Sequence, residues 1–373
     1  MKYGLLSYET YNIGDDIQSI AATRFLPAVD TLFDRDNINK TTLKNPTKLI
    51  MNGWYTHGPK NWPPESEKLR PLLISMYIEQ YLDKEIPKSF LNKKSVFFLN
   101  KWGPVGARDY ATLDFLKQNG IDAYFSGCLT LTLQKIPNIS RQDFILTIGV
   151  PQEIIKKIKR KTSREIIDFD TLIDNKFSAD ERFAIAKYYL YLYQSAHMVI
   201  TTRLHCMLPC LALETPVISL SKKEPYRYSG LIDLTNHYSF NEFLDSKIDY
   251  ENPNSNPKQY LPIRKNLITK AASFTGFDSS NSFLGQESLP HFLTNPTLLS
   301  AIAKAFSKSG NATIENIALK NKVEVTATEY EKTIQTINAE KEELKAKLKI
   351  AQNPDVRTSL RSLRQAINRK YHN

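Results

Sequence analysis

At 373 residues the chain exceeds the usual size of one compact domain, and 41% hydrophobic with 24% charged residues is ordinary for a globular protein with a sizeable core. No run of about 18 apolar residues is present to span a bilayer, and the opening MKYGLLSYET has no apolar stretch of leader length, so a cytoplasmic protein is expected. The net charge of +11 asks for anionic partners, whether phosphorylated substrates, acidic glycans or a membrane surface; nucleic acid is not expected, because no recognition motif or interleaved aromatic-basic stripe accompanies the charge.

Taken in chain order, Tyr3–Ser7 reads as a strand, Tyr8–Gly14 as a loop and Asp15–Phe25 as a helix with its acids in the first turn. Leu49–Met51 is a short strand ending in Asn52-Gly53-Trp54-Tyr55. A Pro-rich stretch precedes a helix expected near Leu72–Leu82, and Val96–Leu99 is read as a strand leading through Gly103-Pro104 to Arg108-Asp109. The helix from Asp109 to Gln118 stops at Asn119-Gly120, and Ala123–Phe125 is the strand before Ser126-Gly127-Cys128-Leu129-Thr130. Phe144–Ile148 opens the second half, Pro151 is placed to start a helix, and Ser178-Ala179-Asp180-Glu181 is a capping box for a helix to about Gln194.

Met198–Thr201, Leu204–Leu213 and Pro216–Leu220 then form a strand-helix-strand unit with Thr202, Arg203 and His205 at its mouth. In open parallel sheets ligands sit outside the carboxyl ends of the strands, where helix N-termini offer free N–H groups and partial positive charge. Arg203 is a permanent cation with a planar fork, and His205 titrates near neutrality, so phosphate binding and proton transfer fit one corner. The alternative is that Arg203 caps a carbonyl and His205 is a hydrogen-bonded core histidine.

Beyond Leu220, Asn252–Pro262 reads as a loop and Arg264–Ala272 as a helix returning to the first half. From about Asn321, Ala327, Ile334, Lys341 and Leu348 with Val323, Tyr330, Ile337, Leu344 and Ala351 fit the two apolar positions of a short coiled coil that would join copies into a homo-oligomer; a solvated single helix is the other reading. After Pro354, Val356, Leu360, Leu363 and Ile367 share a helical face beside Arg357, Arg361, Arg364, Arg369 and Lys370, as in an interfacial anchor for anionic lipid or a tail packed on its own domain. A second basic cluster is Lys156, Lys157, Lys159, Arg160, Lys161 and Arg164. Cys128, Cys206 and Cys210 make no paired framework, which suits a reducing compartment. Cys206 and Cys210 are one helical turn apart among Leu and Met, read as core thiols before half a metal site; no metal is expected.

The alternation implies an α/β fold of two doubly wound Rossmann-like domains facing a cleft, over 1–140 and 141–250. A loop and crossover helix (251–310), the coiled coil (311–352) and the basic tail (353–373) follow as a C-terminal helical extension.

On these motifs the chain resembles the polysaccharide pyruvyl transferase family. The resemblance covers about Met1–Leu220 and rests on Asn12-Ile13-Gly14-Asp15-Asp16 with Gln18, Gly103-Pro104 before Arg108-Asp109, Ser126-Gly127-Cys128-Leu129-Thr130, and Thr202-Arg203-Leu204-His205 followed by Pro209 and Thr215-Pro216-Val217. It implies a GT-B-like architecture and a transferase using phosphoenolpyruvate as donor substrate, with no cofactor. Arg203 and Arg108 would each hold an anion of the donor across the cleft, and His205 would protonate the enol carbon. The acceptor would be a saccharide of a surface polysaccharide or its lipid-linked precursor, met at the inner face of the membrane. Asn12, Gly14, Asp15 and Asp16 would line the acceptor side, or one of the two acids would cap the helix instead. Where many relatives carry a glycine-rich turn this chain has Met51-Asn52-Gly53-Trp54-Tyr55, so Trp54 is expected to alter what the cleft admits. A glycosyltransferase using a nucleotide sugar and a scaffold of a polysaccharide-assembly complex are the alternatives.

Overall fold

Asn12 starts the first helix: its side-chain oxygen accepts a hydrogen bond from the Gly14 amide at 3.0 Å, so β1 (Lys2–Ser7) turns through residues 8–12 into α1 (Ile13–Thr23). The computed structural model describes residues 1–55, 59–135, 139–173, 176–222, 226–279, 334–345 and positions 358, 361, 362 and 364. The first half continues through β2 (Thr31–Asp34), β3 (Thr47–Ile50), β4 (Trp54–Tyr55), β5 (Leu69–Leu72), β6 (Tyr77–Ile78), α2 (Glu85–Leu91), α3 (Lys93–Trp102), β7 (Val105–Ala107), α4 (Tyr110–Gln118) and β8 (Ala123–Phe125). The second contains β9 (Phe144–Ile148), α5 (Gln152–Lys159), β10 (Glu165–Phe169), α6 (Ala179–Ser195), β11 (Met198–Thr201), α7 (Leu204–Ala212), β12 (Val217–Ser221), β13 (Asn236–Ser239), α8 (Phe240–Asp245) and α9 (Tyr260–Thr275).

All described strand pairs are parallel. The first sheet has the order β2-β1-β3-β5. Backbone bonds carry it onward: the Tyr77 amide donates to the Gly53 carbonyl at 2.9 Å, and the Gly106 amide to Leu73 at 2.8 Å, which places β4–β6 and β7–β8 as its continuation. The second sheet has the order β10-β9-β11-β12-β13. Both orders reverse direction beside their first strand, which puts a crevice at the carboxyl ends of β1 and β3 in one sheet and of β9 and β11 in the other.

One hydrophobic cluster runs from Leu5 and Ile50 on the first sheet, through Ile13 and Ile17 of α1, Ile185 and Tyr188 of α6 and Leu208 of α7, to Leu146 and Val199 on the second. Burying each such Leu or Ile contributes about 1.5–3 kcal/mol, so the helices are held by packing. Inside this layer Arg182 of α6 reaches Asp16 of α1 with Nη2 at 2.7 Å and Nε at 3.2 Å, and gives Nη1 to the Thr10 carbonyl at 2.7 Å. The C-terminal end of α9 meets the first half, where Lys48 donates to the Phe274 carbonyl and Arg24 pairs with Asp278.

Three expectations are corrected. No helix forms over Leu72–Leu82; Leu73–Met76 bonds laterally to Gly106, and Ser75 adopts φ +54, a left-handed conformation that interrupts a helix. Val96–Leu99 is helical instead of extended, because Asn92 caps the Ser95 amide at 3.0 Å and the 3.6-residue turn buries Phe98 and Leu99 while leaving Phe97 outside. The helix cap at the first loop is Asn12, and Asp15 and Asp16 lie in the first turn of α1 without capping it.

Within the basic cluster, Lys157 is structural: its ammonium donates to the Leu244 and Ser246 carbonyls at the end of α8. Residues Leu319–Asn373 make a separate unit, in which 334–345 are helical and Ile334, Ile337 and Leu344 are exposed. Residues 280–310, the rest of the expected coiled coil and nearly all of the basic tail lie outside the described residues. No helix among the described residues is long and apolar enough to cross a membrane.

Candidate functional site

A cavity of ≈ 490 Å³, within the range of small-molecule sites, opens where the carboxyl ends of the two sheets meet. Glu9, Thr10, Tyr11 and Asn12 come from the loop after β1, Trp54 and Tyr77 from β4 and β6, and Arg108 from the turn after β7. Thr171 and Leu172 follow β10, Arg203, Leu204 and His205 follow β11, and Arg227 and Tyr228 follow β12.

Arg203 lies between β11 and α7. Its Nε donates to one oxygen of Asp170 at 2.8 Å and its Nη2 to the other, a two-pronged grip that holds the guanidinium charged and aims its remaining N–H groups away from the carboxylate. Gly149, at φ +65, makes room for it; a Cβ there would stand 2.7 Å from Arg203 Nε. Thr202 does not line the cavity. Its hydroxyl donates to the Gly149 carbonyl at 2.8 Å and its carbonyl accepts from the Tyr228 hydroxyl, so it joins the two loops that carry Arg203 and Tyr228.

Arg108 is only 3% exposed, with its guanidinium 4.2 Å from the centre of the Tyr77 ring and its Nε 3.4 Å from Asp109. That Nε makes no hydrogen bond, and Asp109 uses its other oxygen to cap α4 through the Thr112 amide at 2.9 Å. Arg227 adds a third cation, beside the Tyr228 and Trp54 rings. Three guanidinium groups thus line one cavity, of which only Arg203 is shown gripping a carboxylate through two nitrogens.

His205 is 7% exposed and packs against α1, where a Cβ on Gly14 would come within 2.9 Å of Nδ1. Its Nε2 lies 3.8 Å from the Cys128 thiol, which in turn accepts from the Thr130 hydroxyl. Burial first, and then the charges of Arg108 and Arg227, hold the imidazole well below its ordinary pKa, so it is neutral at pH 7. An anion between the two arginines removes the second cause and raises the imidazole pKa.

Of the residues singled out from sequence, Asn12, Trp54, Arg108, Arg203 and His205 line the cavity. Gly14 stands behind His205. Asp15 and Asp16 do not line it: Asp15 is buried against Arg35 at 3.2 Å with the Thr10 hydroxyl on its oxygen, and Asp16 is paired with Arg182. Cys206 and Cys210 are buried in the core along α7. Tyr77, Asp170, Arg227 and Tyr228 went unrecognised in the sequence. The missing signal for Asp170 was β10 itself, hidden behind a basic run, since the residue directly after a parallel strand is where a site side chain belongs.

A family model described as polysaccharide pyruvyl transferase matches residues 12–223. No curated protein matches the chain. Among solved structures, an uncharacterised protein of Klebsiella pneumoniae is similar at 15% identity over 64% of this chain and 92% of its own, with a TM-score of 0.37. A UDP-GlcNAc 2-epimerase of Methanocaldococcus jannaschii, solved with UDP-GlcNAc and UDP, is similar at 11% identity over 72% and 100%, with a TM-score of 0.35. A glycosyl transferase family 9 protein of Veillonella parvula is similar at 10% identity over 74% and 97%, with a TM-score of 0.24.

Proposed function

Because the chain belongs to the polysaccharide pyruvyl transferase family, we propose that its cavity takes phosphoenolpyruvate and transfers the pyruvyl group to hydroxyls of a saccharide, part of a surface polysaccharide or its lipid-linked precursor. The observation that carries this reading is the convergence of Arg108, Arg203, Arg227 and His205 on one cavity. Phosphoenolpyruvate has a phosphate and a carboxylate on one carbon. Arg203, oriented by Asp170, and Arg108, fixed against Tyr77, hold the two anions from opposite sides of the cavity.

His205 gives a proton to the methylene carbon, which becomes a methyl group and leaves an oxocarbenium-like centre at the adjacent carbon. One sugar hydroxyl attacks that centre and its proton returns to the imidazole. A second hydroxyl displaces phosphate and its proton leaves with the phosphate, closing a cyclic ketal. The two hydroxyl protons thus account for the new C–H bond and the protonated phosphate. The role of His205 depends on the donor: burial, and then Arg108 and Arg227, keep the imidazole neutral, and the donor's charge offsets the arginines and moves the imidazole toward holding the proton it delivers.

Titration with phosphoenolpyruvate at pH 7, in buffers of different ionisation heat, tests both parts. Binding is expected to draw in protons, and the uptake is expected to fall in His205→Gln while the binding itself persists. Turnover at saturating donor should decline as pH rises through the raised imidazole pKa. Equal proton uptake by the two proteins would remove His205 from the acid role, and binding of a UDP-sugar without phosphoenolpyruvate would favour the nucleotide-sugar reading.

The basic segment after Gln352 supports contact with anionic lipid where a lipid-linked acceptor would be met. Each Lys or Arg near such a surface contributes about 1 kcal/mol, enough together for reversible docking. Deleting residues 353–373 is expected to weaken sedimentation with anionic liposomes, as high salt does, and to leave activity on soluble acceptors unchanged. Equal sedimentation of the two proteins would end the docking reading.

A further inference from the structure

The cavity is chemically divided. Its buried part holds Arg108 and His205, whereas Tyr11 and Leu172, which line the same cavity, are each 62% exposed. The mouth is also fixed in place. Asn12 and Leu172 form an isolated antiparallel bridge: the Ile13 amide donates to the Thr171 carbonyl at 2.9 Å and the Ile173 amide to the Tyr11 carbonyl at 2.8 Å. Two large apolar side chains therefore stand in water on a backbone tied across the two halves, with Glu9, Thr10, Asn12 and Thr171 beside them as polar neighbours.

We infer that Tyr11 and Leu172 form the acceptor subsite, a platform for the apolar face of a pyranose ring whose hydroxyls meet Glu9, Thr10 and Asn12. An aromatic ring next to several hydrogen-bonding groups suits a pyranose, whose C–H bonds form a weakly polar face and whose hydroxyls lie at the rim. It does not suit the donor, whose anions belong with the arginines further in. This assignment rests on the pyruvyl transfer reading for its donor. A sugar on Tyr11 closes the mouth over the arginine-lined part, so the order of addition follows: donor first, saccharide second.

The test uses the full chain, phosphoenolpyruvate, and a panel of methyl glycosides of neutral hexoses and N-acetylhexosamines. Saturation-transfer NMR with the wild-type protein is expected to give strong signals from ring C–H protons of at least one glycoside, stronger once phosphoenolpyruvate is added. Tyr11→Ala and Leu172→Ser should each weaken glycoside binding by tenfold or more while phosphoenolpyruvate affinity stays within twofold. Both side chains are exposed, so neither change threatens the fold, and a thermal melt verifies this. Unchanged glycoside binding in both variants, with phosphoenolpyruvate bound normally, overturns the subsite and leaves the donor reading standing. Failure of the wild-type protein to bind phosphoenolpyruvate overturns the donor reading, and the subsite is then decided by the glycoside signals alone.

Discussion

Replacing Arg108 by Met is expected to lower kcat/KM for phosphoenolpyruvate by about 30- to 5,000-fold, since losing one partner of a buried charge pair costs about 2–5 kcal/mol and each 1.36 kcal/mol is tenfold in rate. The side chain is nearly inaccessible, backed by the Tyr77 ring, and its Nε has no hydrogen bond, so its charge is incompletely met by the protein. An anion arriving there meets a cation that was never fully solvated. Arg108→Lys keeps the charge and loses the planar fork, and is expected to fall between the two. A second readout separates this from a folding defect. Arg108 is the larger of the two charges that depress His205, so its removal should raise the imidazole pKa of the ligand-free protein, seen as an upward move of the His205 NMR titration. A normal kcat/KM together with an unmoved His205 titration would take Arg108 out of the site.

The parts of the site that were readable in the sequence are those in which one residue type has little else to do at a strand end. Arg203 and His205 follow a four-residue strand with no polar residue before its last position, and the structure puts both on the cavity. The strands over 123–125, 144–148 and 198–201 were legible because each is a short apolar run with turn residues beside it. Leu72–Leu82 misled because a chain buried on both sides has no amphipathic period to betray its conformation; Leu73, Ile74, Met76, Tyr77 and Ile78 are all in the core. Asp15 and Asp16 misled for another reason. Acids at a helix start ordinarily face solvent, and only the three-dimensional arrangement supplies the arginines from β2's end and from α6 that take them inside. Arg227 and Tyr77 reach the cavity through long-range packing, which local pattern does not encode.

Arg182 carries the largest expected effect on stability. Arg182→Met should destabilise the protein by about 3–5 kcal/mol, because the change leaves a carboxylate buried without its counter-charge. Asp16 and Arg182 are both fully enclosed and joined through two nitrogens, and Arg182 also satisfies the Thr10 carbonyl. Burial pushes the Asp16 carboxyl up, to about 7, against the pull of Arg182; without the arginine it rises further. The sign of the pH dependence follows. Below the variant's pKa the folded variant keeps Asp16 protonated and neutral, so the loss is smallest at acid pH. As pH rises past 7 the wild-type carboxylate ionises beside its partner while the variant must either hold a proton or bury a bare charge, so the difference in stability widens. Denaturant unfolding at pH 6 and pH 8 should show a larger loss at pH 8. Adding Asp16→Asn to Arg182→Met should restore part of the loss, leaving mainly the orphaned carbonyl, about 1–3 kcal/mol. That carbonyl sits in the loop that carries Tyr11 and Asn12, so the double variant is expected to fold and yet bind saccharide less well. A pH-independent loss, or no recovery in the double variant, would mean that α1 and α6 are held by hydrophobic packing alone.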